Sequence, residues 1–282
     1  MNKILLAGAT GYLGKYIAQE LKQQDYYTKV LVRNPKKFDQ YGIQVEEIVQ
    51  AEITDKSTLR GCCKDIDIVI SSVGITKQKE GLTYMDVDYQ SNLNLLEEAK
   101  QNGVRKFIYV SVLNGEKLKN LKICEAKEKF VQELKKSGLE FCIIRPNGFF
   151  SDMTEFYNMA KTGRIYLFGS GNLKANPIHG EDLAKVCVSA IDDNDKEIEV
   201  GGPETLTQNE IANIAFDAVG ETPKITHIPD WIRRMILSMA KLILNTKKLG
   251  PIEFFMSVMA TEMLAPEYGK HTLKEYFNGL ED

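Results

Sequence analysis

The sequence lacks the cysteine and histidine patterns that build disulfide scaffolds and structural metal sites. Its five cysteines (Cys62, Cys63, Cys124, Cys142 and Cys187) contain no C-x-x-C pair and have no histidine nearby at zinc spacing. Reduced, buried thiols are expected, and no metal. The net charge of −3 supplies no positive field for nucleic acid. No stretch reaches the roughly eighteen uncharged apolar residues of a spanning helix. The first apolar run stops at Ala7, so it reads as a strand and not as a signal peptide, and a soluble, cytoplasmic protein is expected. No repeat, low-complexity segment or shift in composition marks a linker. Neither a G-x-S-x-G elbow nor a convincing His–Asp pair beside a serine is present, which argues against a hydrolase.

What the sequence does have begins at its third residue. Lys3-Ile4-Leu5-Leu6-Ala7 is a continuous apolar strand, followed by Gly8-Ala9-Thr10-Gly11-Tyr12-Leu13-Gly14 and then by helical periodicity through Leu21. Gly8 can turn sharply out of the strand, Gly11 has no Cβ to hold a pyrophosphate away from the backbone, and Gly14 lets the helix lie close to the sheet. The helix N-terminus offers free N–H groups and a positive dipole end. A strand, a glycine turn at this spacing and a helix together predict a dinucleotide site contacted by Gly8, Thr10, Gly11, Tyr12, Leu13 and Gly14.

The second strand, Thr28–Val32, ends at Arg33-Asn34-Pro35-Lys36-Lys37. An acidic residue about twenty positions after the glycines would select a free ribose 2′-hydroxyl, and none is there. Arg33, with Lys36 or Lys37, offers the cations that a 2′-phosphate requires, so NADP(H) is the expected cofactor. Further strands are expected at Val45–Val49, Asp67–Gly74, Lys106–Ser111 and Glu140–Pro146, with helices around Thr58, from about Asp88 to Gln101 and from Glu125 to Lys136. The small residues Ser72, Val73 and Gly74 at the exit of the fourth strand leave room for a cofactor. Six strands alternating with helices predict an α/β protein whose doubly wound parallel sheet (Rossmann) binds its ligand at the strands' C-terminal ends. The expected division is a nucleotide-binding domain at 1–150 and a mostly helical substrate lobe at 151–282 that shares a late strand at Glu197–Gly202 with the sheet.

In the second half, Gly163–Gly171 reads as strand and turn, Glu181–Ile191 as helix, and Thr207-Gln208-Asn209-Glu210 as a capping box before another helix. Trp231–Leu244 is amphipathic, with cations among its apolar residues. Such a helix can lie on an anionic membrane, but packing on the substrate lobe or on another subunit is the favoured reading. His179, at the edge of the presumed cleft, reads as a hydrogen-bonded structural residue more readily than as a catalyst.

Beyond the glycine turn, Tyr109-Val110-Ser111-Val112, Ala126-Lys127 and Arg145-Pro146-Asn147-Gly148-Phe149-Phe150 resemble the atypical short-chain dehydrogenase/reductase (SDR) family, in its NmrA-like and isoflavone-reductase-like group. The likeness covers the first 200 residues. Pro177-Ile178-His179-Gly180-Glu181-Asp182 and Gly201-Gly202-Pro203 are similar, more loosely, to divinyl-chlorophyllide reductases. The resemblance implies catalytic roles for Ser111, Lys127 and Asn92, and a nicotinamide held beside Pro146, Asn147 and Phe149. Ile123 stands where the family's Y-x-x-x-K motif has its tyrosine, and isoleucine has no proton to exchange. Read from the residues alone, Lys127 is an exposed helix lysine, Ser111 a strand-end hydroxyl and Asn92 a helix-surface residue. The implied function is NADPH-dependent reduction of a small apolar, aromatic or conjugated substrate by a monomer or homodimer, with Lys127 or a water as proton source. The alternative is a non-catalytic NADPH/NADP sensor or an assembly factor acting through a protein partner.

Overall fold

The computed structural model describes residues 2–76, 78, 81–244 and 246–280. The chain opens with strand β1 (Lys3–Ala7), helix α1 (Tyr12–Gln23), β2 (Tyr27–Val32), the short helix α2 (Pro35–Asp39) and β3 (Glu47–Gln50). Next come β4 (Ile68–Ser71), α3 (Asn92–Gln101), β5 (Lys106–Val110), α4 (Lys122–Lys136) and β6 (Glu140–Pro146). Then follow α5 (Phe150–Lys161), β7 (Ile165–Phe168), β8 (Lys174–Ala175), α6 (Gly180–Ser189), β9 (Glu197–Val200) and β10 (Leu206–Thr207). The last elements are α7 (Gln208–Ala218), β11 (Ile225–Ile228), α8 (Asp230–Ile243), α9 (Thr246–Val258) and α10 (Leu273–Asn278).

Seven strands form one sheet in the order β3-β2-β1-β4-β5-β6-β9, and every pairing from β3 to β6 is parallel. The continuous apolar run of β1 is the reason it sits centrally: Ile4, Leu5, Leu6 and Ala7 have no exposed surface, because helices cover both faces. Strand order reverses between β1 and β4, which opens a crevice at their C-terminal ends where Gly8 and Ser72 lie. The doubly wound α/β architecture read from the sequence is the one observed.

Contacts divide the chain into two compact units, Met1–Arg145 with Leu183–Ile198, and Pro146–Asp182 with Glu199–Asp282. The division is not a single cut at 150, since most of α6 and the start of β9 return to the first unit. In the first unit, Leu5, Phe107, Tyr109, Phe130 and Leu134 anchor one core cluster. In the second unit, Phe150, Phe156, Ile211, Phe216 and Phe277 form another, beside two small sheets, β7 with β11 and β8 with β10.

Several boundaries differ from the sequence expectation for physical reasons. The helix expected from Asp88 begins at Asn92, preceded by a π-helical turn, Met85–Ser91, whose wide carbonyls accept from the Asn92 side-chain amide. Pro35 near the first helical position starts α2 within the basic stretch that follows β2. The helix around Thr58 is a short 3₁₀ turn, Lys56–Leu59, capped by Asp55 accepting from the Ser57 amide at 2.9 Å. The Thr207–Glu210 capping box is present at the start of α7, and Thr272–Glu275 forms a second at α10.

Candidate functional site

The glycine turn has the shape its spacing demands. Gly8 adopts φ +89°, and a Cβ there would fall 2.7 Å from Ser72 Oγ. A Cβ on Gly14 would fall 2.0 Å from the Gly8 carbonyl oxygen, so α1 can approach the turn only with glycine at that position. A Cβ on Gly11 would meet only the Gly8 carbonyl oxygen, at 3.2 Å, so the space in front of Gly11 is otherwise open. Gly11 caps α1 without a side-chain hydrogen bond, and the first turn carries no acidic residue. Those amides face an open cradle suited to an anion. Around it, the Thr10 carbonyl accepts from Tyr41 Oη at 3.1 Å, Tyr12 is half-buried against Tyr16, and Leu13 is buried. The turn fits a pyrophosphate.

Just beyond the C-terminal end of β2, Arg33 is exposed and its guanidinium lies 3.8 Å from the Glu52 carboxylate. Lys36 and Lys37 are exposed on α2. Glu52 is an acid the sequence reading passed over, and it competes with any phosphate for Arg33.

From the turn, a continuous path leads to Lys127. Ser72 Oγ, which would meet a Cβ on Gly8, donates to the Ala7 carbonyl, and the Val73 amide donates to Ser71 Oγ at 3.4 Å. A Cβ on Gly74 would fall 2.8 Å from Lys127 Nζ and 2.6 Å from Asp88 Oδ1. Lys127 is therefore no exposed helix lysine: its ammonium is buried, 3.0 Å from Asp88 and 5.5 Å from the centre of the Tyr109 ring. The Ile75 amide donates to the other Asp88 oxygen at 3.2 Å. Burial by itself would lower the Lys127 pKa, but Tyr109 and Asp88 outweigh it and hold the group above the ordinary lysine range. Burial pushes the Tyr109 phenol up to about 12, so it is neutral near pH 7 and the charge facing Lys127 there is that of Asp88.

Asn92 and Ser111 differ in what they leave available. Asn92 is fully buried, accepts from Ser71 Oγ at 2.6 Å and donates to the carbonyls of Val73, Val87 and Asp88. It fixes the π-turn that carries Asp88. Ser111 Oγ is buried and has no hydrogen-bond partner among the described residues. Ile123, one helical turn before Lys127, is buried and apolar. Beside Lys127, Glu128 and Glu197 clamp the Arg145 guanidinium, which fixes α4 against β6 and β9. Asp88 and this clamp escaped the sequence reading, because their partners lie far away along the chain.

In the second unit, the Asn147 amide donates to Asn176 Oδ1 at 2.6 Å and to the Met263 carbonyl at 2.7 Å, while its oxygen accepts from the Gly148 amide. Its side chain holds the unit together, with Pro146 buried and Phe149 half-buried beside it. Asn176 packs on Gly201, where a Cβ would fall 2.1 Å from its nitrogen, which explains that glycine. A small cavity of about 40 Å³ is lined by Asn147, Gly148, Met153, Leu173, Ile211, Val258, Met259 and Met263 among others, and is almost wholly apolar; that is room for a few water-sized groups and not for a substrate. Tyr166 is exposed on β7 and is not part of this lining, and Phe150 belongs to the core. The His179 ring stacks on His271 at 4.3 Å, and its Nδ1 accepts from the Glu181 amide. Ligand atoms of His179, Glu181 and His271 converge within 4.8 Å, a grouping absent from the linear sequence pattern.

Fold and turn together define a dinucleotide-binding protein. The chain belongs to the NAD(P)H-binding family, whose profile matches residues 8–194. It is 27 % identical to the divinyl chlorophyllide a 8-vinyl-reductase of Zea mays, covering 97 % of this chain and 78 % of that protein. It is 24 % identical to the photosystem II assembly factor Ycf39 of Synechocystis, covering 94 % of this chain and 84 % of that one. The fold matches the NADPH-dependent quinone oxidoreductase QOR2 of Escherichia coli, solved with NADPH, with a TM-score of 0.78, 17 % identity and coverage of 99 % and 100 %. It also matches an isoflavone reductase, with a TM-score of 0.75, 20 % identity and 99 % coverage of each chain.

Proposed function

We propose that this chain is an NADP(H)-dependent reductase of a small, largely apolar or conjugated substrate. The observation that carries the reading is the buried Lys127 ammonium, held by Asp88 against Gly74 on the same rim as the glycine cradle. Gly8, Gly11, Gly14 and the first amides of α1 would hold the pyrophosphate, and Arg33 with Lys37 the 2′-phosphate. When bound, the reduced nicotinamide supplies a hydride. Lys127 supplies a fixed positive charge that stabilises negative charge developing on a substrate, and the Ser111 hydroxyl supplies an uncommitted hydrogen-bond donor. The likeness to a divinyl chlorophyllide a 8-vinyl-reductase supports the substrate class. The alternative, a cofactor-dependent sensor or assembly factor, is supported by Ile123 in the tyrosine position and by the Ycf39 relatives.

The test is NADPH oxidation across a panel of conjugated enones and vinyl-substituted aromatics. Turnover is expected to survive Ile123→Ala and to collapse when Lys127→Met is combined with Asp88→Asn. Unchanged turnover in that double variant refutes the role of Lys127. Absence of turnover with every substrate, together with protease sensitivity that differs between NADPH and NADP, replaces the reductase by the sensor.

A further inference from the structure

Helix α8 packs on α9, with Ile232, Arg233, Leu237 and Ala240 half-buried and Arg233 donating to the Met256 carbonyl at 3.4 Å, but a second apolar face of the helix is left outside. None of its fourteen residues is buried. Trp231 is 64 % exposed, Met235 46 %, Met239 51 % and Leu242 88 %. At spacings of four, four and three residues these side chains form one stripe along the helix, and Ile243 widens it at the C-terminal end. Arg234, Ser238 and Lys241, each preceding a stripe residue by one position, line one flank. Within the chain this stripe is left largely exposed.

We propose that α8 is an interfacial anchor that lays its Trp231–Met235–Met239–Leu242 stripe on an anionic bilayer surface. Charge selects this occupant. Residues 230–260 carry five basic residues (Arg233, Arg234, Lys241, Lys247 and Lys248) against two acidic ones (Asp230 and Glu253), a net +3 in a chain whose total is −3. Arg234 bonds Asp230 and Lys241 pairs with Glu253, but both cations keep exposed side chains beside the stripe. A second copy is disfavoured because a two-fold contact sets each patch against itself, bringing +3 against +3. An anionic lipid surface attracts the cations and accepts the apolar stripe at headgroup depth. Among the described residues no helix is long and apolar enough to cross a membrane, so the helix lies on the surface. Trp231 sits at the N-terminal end of the stripe, where an indole suits the headgroup region.

Trp231 is the only tryptophan, so its fluorescence reports directly on the helix. The full chain is titrated with vesicles of phosphatidylcholine alone or with about one-third phosphatidylglycerol. With the anionic vesicles the emission is expected to shift to shorter wavelength, to be quenched by brominated lipid and to cofloat with the vesicles. Raising salt from about 0.05 to 0.5 M should release it. Met239→Glu with Leu242→Glu should lower partitioning on the order of tenfold or more. Since no α8 residue is buried, this variant keeps its core, and an unchanged circular dichroism spectrum with unchanged NADPH binding checks that. Trp231 emission unmoved by anionic vesicles at low salt overturns the proposal and leaves the stripe to a protein partner. A concentration-dependent shift without lipid, with a doubled mass, overturns it in favour of a second copy. Either result is independent of whether the chain is a reductase.

Discussion

Replacing Lys127 by methionine removes one half of an ion pair whose other half has no exposed surface. Asp88 would keep only the Ile75 amide at 3.2 Å. Removing one partner of a buried pair costs about 3–5 kcal/mol, because the remaining charge is desolvated and unpaired. The first unit holds about 160 residues, so the melting temperature should fall by about 6–20 °C. Burial already holds the Asp88 carboxyl above its ordinary value with Lys127 beside it, and without the ammonium that shift grows. A carboxyl with a higher pKa in the folded than in the unfolded state gives full stability at acid pH and loses it as pH rises through the folded value. The deficit of Lys127→Met relative to wild type should therefore shrink as pH falls from 7 toward about 4–5. Adding Asp88→Asn, which keeps an acceptor for the Ile75 amide, should recover all but about 1 kcal/mol. The assay is thermal unfolding of wild type, both single variants and the double variant at several pH values. A Lys127→Met deficit that is absent, or equal at pH 5 and pH 7, refutes the reasoning.

Two further outcomes concern the cofactor. NADPH should bind more tightly than NADH, and Arg33→Ala should weaken NADPH binding by about 1.5–3 kcal/mol, on the order of tenfold to a hundredfold, while Glu52→Gln should strengthen it by freeing the guanidinium from its neighbour at 3.8 Å. Calorimetric titration decides this, and equal affinity of wild type for the two cofactors is the contrary result. Gly11→Val should abolish NADPH binding with a near-native circular dichroism spectrum, since a Cβ at Gly11 meets only one carbonyl oxygen but projects into the cradle. An undiminished rise in melting temperature with NADPH in that variant would place the phosphates elsewhere.

What was legible in the sequence was what is local. The glycine turn, the bounds Glu140–Pro146 of β6 and the Thr207–Glu210 capping box depend on residues within a few positions of one another, and each is seen in the structure. Asp88 was not legible, because it meets Lys127 only after the chain has passed through α3 and β5 and begun α4. Asn92 illustrates the same limit: its position on a helix could be read, but its bonds to β4 and to the π-turn follow from tertiary packing. Asn147 was read as a nicotinamide neighbour, and its side chain is committed to Asn176 and Met263, which lie 29 and 116 positions away. For α8, periodicity established a helix with an apolar side, but periodicity does not say what that side meets.

The same distinction bears on the proton. A lysine beside a cofactor, read from sequence, looks like an acid–base group that can replace the missing tyrosine. In the structure its proton is the least available one in the cluster, since releasing it would leave Asp88 buried and unpaired, and its pKa lies above the ordinary range. Tyr109, at about 12, is similarly reluctant, and all three histidines (His179, His227 and His271) lie in the second unit. Ile123 contributes none. If hydride transfer occurs beside this lysine, the compensating proton comes from water or from a substrate group. The hydroxyls of Ser111 and Tyr109, both buried and without a hydrogen-bond partner among the described residues, are the uncommitted groups that could bind such a water. Lys127 then acts as a permanent charge, for which a tyrosine one turn earlier is unnecessary.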